Sequence, residues 1–210
     1  MFIRNLFLLA VGLAAAGAAS AQSLGKQAEF YFEADANTVK PIAAVRESGD
    51  AAAQKLLRKI ERDPQAKVEL IQLAHLAMES NRHDLGRDLY ARAFARIDRT
   101  DVLWRSAMWN YGWDLFHAGD ATGALEQWRT LQAARNVTAS WIPPTNALVL
   151  WTLGRKDEAV QWYAAAVRTE PQQWRTPAAY AELLPDWRDS ERATLAEVQA
   201  AWAANPPTWP

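Results

Sequence analysis

The chain has 210 residues, 23 basic and 24 acidic, with 11 tryptophans and no cysteine. The missing cysteine excludes disulfides, thiol catalysis, thiolate metal sites and lipid attachment at an N-terminal cysteine. The near-even charge lacks the basic face on which non-specific nucleic-acid binding depends.

Met1 to Ala21 has the order of a secretory leader: Arg4, then the apolar run LFLLAVGLAAAGAA, then Ala19-Ser20-Ala21 as a small-x-small cleavage site. The run is rich in Ala and Gly and shorter than the ~20 residues of a membrane span. No later run is longer, so the mature chain is predicted to be soluble, without a membrane span, and periplasmic or secreted after cleavage near Ala21. Losing Arg4 leaves 22 basic against 24 acidic residues, a formal charge of −2. About 190 residues suffice for one ordinary domain or a short solenoid.

Residues 22–66 read as a lead-in with Phe30, Tyr31 and Phe32 but no clean period, which docks on the first helices, then a degenerate helical pair, Thr38 to Ser48 and Asp50 to Glu61. Gly49-Asp50 supplies the turn, and Asp63 before Pro64 the stop. From Lys67, apolar residues at helical spacing (Leu70, Leu73, Ala74, Ala77) predict a helix to about Asn81, and a second covers Asp84 to Ile97. Asp101 opens a longer helix to Gly119, and Asp120 is the expected N-cap of a partner reaching Ala134. A loop at 136–144 precedes a helix over Thr145 to Leu153, and Gly154 turns into Lys156 to Glu170, stopped by Pro171. Thr176-Pro177 starts a short helix to Leu184. A last one runs from Ser190-Glu191 to Ala204, before the tail NPPTWP.

Two stretches repeat at an offset of 35 residues: Gly119 falls on Gly154, Ala124 on Ala159, and Trp128 on Tyr163. A small turn residue followed by helical spacing, at a fixed period in this range, is the signature of stacked helical hairpins.

These residues resemble the tetratricopeptide repeat (TPR) family, whose unit is about 34 residues long. The copy at 140–173 carries all the marker residues: Ala147, Gly154, Ala159, Tyr163, Ala166 and Pro171. The copy at 105–138 carries Gly112, Gly119, Ala124 and Trp128, then departs at Leu131 and Asn136. The copy at 67–100 carries Ala74, Asn81, Gly86, Tyr90 and Ala93, and ends on Asp98 in place of proline. The resemblance implies an all-α, right-handed superhelical stack of antiparallel helical hairpins, a TPR-like α-solenoid, with 174–210 as capping helices and a Pro/Trp tail. It also implies that Tyr90, Trp128 and Tyr163 are core.

In that family a concave groove is lined from the first helices. Carried over, its positions give Val68, Ile71, His75, Met78 and Glu79 in the first copy; Ser106, Trp109, Trp113, Phe116 and His117 in the second; and Trp141, Pro144, Leu148, Trp151 and Thr152 in the third. The helix holding Trp109 and Trp113 is apolar nearly all round and must be covered on both sides. Two coverings are open. One is an apolar peptide, a partner helix or a glycan. The other is the chain itself, through Phe30 to Phe32 or the tail with Trp209.

Catalytic patterns are weak. His75, His83 and His117 have no metal-ligand spacing, and neither a nucleophile elbow nor a phosphate-cradling glycine loop is present. No catalytic residue, metal or cofactor is therefore expected. The expected function is a non-catalytic protein-interaction scaffold of the bacterial cell envelope, binding a protein or peptide through the tryptophan groove. The alternative is a cell-wall glycan-binding or glycan-cleaving protein, with Glu79 as the acid.

Overall fold

A computed structural model describes residues 24–28, 30–42, 49–63, 65–135 and 138–208. The expected leader, the second half of the helix expected over Thr38 to Ser48, and Trp209 lie outside these residues. Among the described residues, ten α-helices and one 3₁₀ turn make up the regular structure, apart from an isolated parallel bridge between Glu33 and Ala139. The protein is all-α. Among the described residues no helix is long and apolar enough to cross a membrane.

Helix α1 (Asp50–Arg62) packs on α2 (Lys67–Glu79), which pairs with α3 (His83–Phe94). Next come the pairs α4 (Val102–His117) with α5 (Ala121–Arg135), and α6 (Ile142–Thr152) with α7 (Lys156–Thr169). Neighbouring pairs touch through α2 and α4 and through α5 and α6. Short pieces follow, α8 (Pro171–Trp174), the 3₁₀ turn Pro177–Ala179 and α9 (Tyr180–Leu183). Then α10 (Asp189–Ala204) folds back across α6 and α7.

The three pairs turn in the same way. Asn81, Gly119 and Gly154 have φ of 58°, 83° and 75°. After each, the next amide reaches back five residues: Arg82 N to Ala77 O (2.8 Å), Asp120 N to Leu115 O (2.9 Å) and Arg155 N to Leu150 O (2.9 Å). The left-handed residues also bond back, to Met78, Phe116 and Trp151. This is the Schellman stop, which satisfies the orphan carbonyls of a helix end and needs a residue tolerant of positive φ. Asp120 then caps α5, its Oδ1 accepting from Gly123 N at 2.8 Å, as Asp101 caps α4 through Leu103 N at 2.9 Å.

Tyr90, Trp128 and Tyr163, on the second helices of the three pairs, are fully buried. Each uses its polar tip inside the core, as a buried Tyr or Trp must. Tyr90 donates to Asp114 Oδ2 (2.6 Å), Trp128 Nε1 to the Trp109 carbonyl (3.3 Å), and Tyr163 Oη to the Trp174 carbonyl. The Trp128 indole lies directly over Gly112, leaving no room for a Cβ. Residues 141–150 are all buried, because α6 has its own hairpin on one side and α10 on the other. A helix apolar all round is what such a position selects.

Several boundaries differ from the sequence reading. Residues 38–42 are turn and extended chain, not the start of a helix. Pro41 disfavours the helical region for Lys40, and the Asn110 side chain holds the segment by accepting from Ile42 N (3.2 Å) and donating to Lys40 O (3.1 Å). The lead-in docks on α7 and the loop before α6, not on the first helices. Helix α6 begins at Ile142, three residues early, with Pro143 and Pro144 in its first turn, where missing amides cost nothing.

Candidate functional site

Two segments, residues 30–42 and the turn between α9 and α10, flank one cleft over α4 and α6. The N-terminal segment crosses one side as extended backbone. Tyr31 is buried there, its amide donating to Thr169 Oγ1 (3.1 Å), while Phe30 and Phe32 point outward and stack on each other. Glu33 is fixed to the 138–140 loop: its amide donates to Thr138 O (3.1 Å), its carbonyl accepts from Ser140 N (2.9 Å), and its carboxylate accepts from Thr138 N (2.9 Å). On the other side, the turn between α9 and α10 lays Trp187 against Trp113, with ring centroids 5.1 Å apart. Arg192 pins that turn through the carbonyls of Leu184 (2.8 Å) and Trp187.

Between these covers remains a cleft of about 450 Å³. Its walls are the indoles of Trp109, Trp113, Trp141 and Trp187. Trp109 meets Trp141 edge-on at 4.8 Å and Trp113 at 5.7 Å, so adjacent walls stand at steep angles. Thr145, from the first turn of α6, lines the cleft at 1% exposure, and its hydroxyl makes no hydrogen bond. Glu170, Gln173 and Asp186 also line it, and their side chains bond to no other described residue. No lysine or arginine is among the described lining residues.

Two histidines reach this space, each backed by a buried carboxylate. His75 Nδ1 donates to Asp114 Oδ1 at 2.8 Å, and Asp114, 4% exposed, also accepts from Tyr90. The hydrogen bond to Asp114 raises the His75 pKa above its usual value, against the opposing effect of burial. Burial, with the neighbouring Asp114 charge, puts the Tyr90 phenol well above its ordinary range. His117 Nε2 lies 2.7 Å from Oε1 of Glu191, which is 5% exposed. Burial pushes the Glu191 carboxyl up, but the bonds from His117 and the Arg188 amide outweigh it, and the net shift is downward.

The structure brings six of the fifteen sequence-derived groove residues together. His75, Trp109, Trp113, His117, Trp141 and Pro144 line the cleft. The rest face elsewhere. Ile71 and Leu148 are core, 1% and 0% exposed. Met78 is buried against Gly86, and Phe116 packs beside Trp113 and Trp128. Trp151 bonds to Glu197 of α10 (2.9 Å) and carries Lys156 Nζ 3.5 Å above its ring. Glu79 is 56% exposed beside His75 Nε2 (3.6 Å), outside the cleft.

No protein-family model matches the chain, and neither does a curated protein or a solved structure. Four residues of the site were not legible in the sequence. Asp114 sits in a helix rich in large apolar residues, and nothing in its spacing points across to His75. Glu191 reads as an ordinary helix-start acid, and it does close a capping box at Arg188. Its second oxygen serves His117. Trp187 and Thr145 lie outside the repeat positions that line the groove in the family.

Proposed function

We propose that this chain is a non-catalytic binding protein of the bacterial cell envelope, a TPR-like right-handed stack of hairpins exported by the leader ending near Ala21. It takes its ligand in the tryptophan-walled cleft. One observation carries this reading: residues 31–41 and the turn at 183–187 lie over the tryptophan face and still leave about 450 Å³ between them, a volume within the roughly 300–1,000 Å³ of small-ligand sites. Stacked hairpins that bury their tryptophans for stability alone would close that space. The three Schellman turns at equivalent places support the repeat reading.

The dimensions favour a narrow occupant. A partner helix is about 10–12 Å across with its side chains, and three turns of it exceed the cleft. A few residues of extended chain, or a short glycan, fit beneath Tyr31 and Ala34. Catalysis finds less support, since a glycan-cleaving acid needs an apolar enclosure and Glu79 stands half in solvent.

Tryptophan emission, titrated with short apolar peptides and with oligosaccharides, tests the reading. We expect a saturable change with one class, lost in Trp113→Ala while helicity by circular dichroism is kept. No response to either class, or one indifferent to Trp113, would sink it. Incubation with purified cell-wall material should release no soluble fragments, and release abolished by Glu79→Gln would establish an enzyme instead.

A further inference from the structure

We infer that the cleft is a saccharide site, taking a neutral sugar of about one or two rings between the indole walls and the free polar side chains at its rim. The inference rests on the binding reading above and narrows it to one ligand chemistry. Three features of the cleft select that chemistry.

The first is the wall. A pyranose presents a flat face of C–H groups, which needs a flat apolar surface to leave water. An indole offers the largest such surface of any side chain. The second is the unpartnered polar inventory. Glu170, Gln173 and Asp186 bring two carboxylates and an amide to the rim with no described partner. Carboxylates and amides accept from, and bridge between, neighbouring hydroxyls. The third is the charge. With no lysine or arginine among the described lining residues, and with each cleft histidine held by its own carboxylate, an anionic ligand meets no free cation. This sets phosphate and carboxylate ligands aside. A quaternary ammonium centre would suit aromatic walls, but it has no N–H or O–H of its own to donate to Glu170, Gln173 and Asp186.

The test uses the mature chain from residue 22 onward, with calorimetry and tryptophan emission read in parallel. Probes are the neutral sugars N,N′-diacetylchitobiose, cellobiose and maltotriose, with choline, an apolar tetrapeptide and insoluble peptidoglycan as separate arms. We expect one neutral sugar to bind saturably. Gln173→Ala and Asp186→Asn should each weaken it about three- to tenfold, as the loss of one hydrogen bond does, without moving the melting temperature. Binding to peptidoglycan alongside the free sugar would place the source in the wall polymer, and binding to the free sugar alone would place it in solution. Saturation by choline or the tetrapeptide with none by sugars would overturn the saccharide assignment and leave the binding reading standing. Silence in every arm would overturn both. Sugar binding untouched by both variants would overturn the cleft as its location.

Discussion

Residues with no slack show how tightly the hairpins are drawn together. Gly112 lies under the Trp128 indole, where an added Cβ collides with the ring. Neither partner can move, since Trp128 is fully buried. Gly112→Ala should therefore cost about 1–3 kcal/mol by overpacking, read as a lower urea midpoint at unchanged slope. An unchanged midpoint would mean that the α4–α5 contact is looser than described. The histidine pairs give a signed dependence on pH. His75 is raised by Asp114, so its contribution is complete below the unfolded value of about 6.5 and is lost as pH climbs through the higher folded value. Glu191 is lowered, so its contribution is complete above the unfolded value of about 4.3 and is lost as pH falls through the lower folded value. Stability from these two groups is thus greatest between about pH 4.5 and 6.5 and declines on both sides. Urea midpoints across pH should show His75→Gln flattening the alkaline limb and Glu191→Gln the acid one. Equal slopes in wild type and variants would remove both pairs from the account.

At the level of elements, α10 and the N-terminal segment do different work. Helix α10 covers the one helix whose residues 142–150 are all buried, and Trp151–Glu197 ties the two. Ending the chain at Leu184 strips that cover and exposes a continuous apolar face. We expect association or loss of soluble monomer on size-exclusion chromatography, because a patch of that kind is not left bare in water. The N-terminal segment is held at separate points, Tyr31, Glu33 and Asn110. Removing one should loosen it without unfolding the stack. Asn110→Ala deletes the bonds to Ile42 and Lys40, worth about 0.5–1.5 kcal/mol each. Limited proteolysis should then cut faster within residues 36–42 while the melting temperature moves little. Global destabilisation would show instead that the segment belongs to the core.

For the whole molecule, stability should rise along the chain. Helix α1 touches the rest mainly through α2 and buries only Ala52 and Leu56, whereas α6 and α7 are enclosed by α5 and α10. Stacked hairpins are stabilised by nearest neighbours, so a unit with one neighbour opens before a unit with two. Hydrogen exchange should find α1 amides least protected and α6 amides most protected. The reverse order would break the link between burial and local opening.

The sequence by itself determined what local spacing can encode. Glycine, or asparagine, at the end of each first helix suits the same left-handed turn, and Tyr90, Trp128 and Tyr163 are buried where the repeat resemblance implies core. Six of the fifteen groove residues carried over from that resemblance line the cleft, since periodicity tells which side of a helix a residue occupies. It does not tell what stands opposite. Only the tertiary structure decided that Ile71 and Leu148 face packed helices, that α10 rather than a partner covers α6, and that Tyr31 and Trp187 close over the tryptophans. The carboxylates behind the two histidines are likewise a matter of tertiary structure, because Asp114 lies 39 residues from His75 and Glu191 74 from His117. Contacts across such distances depend on how hairpins stack and where the ends fold back, and no short-range pattern carries that information.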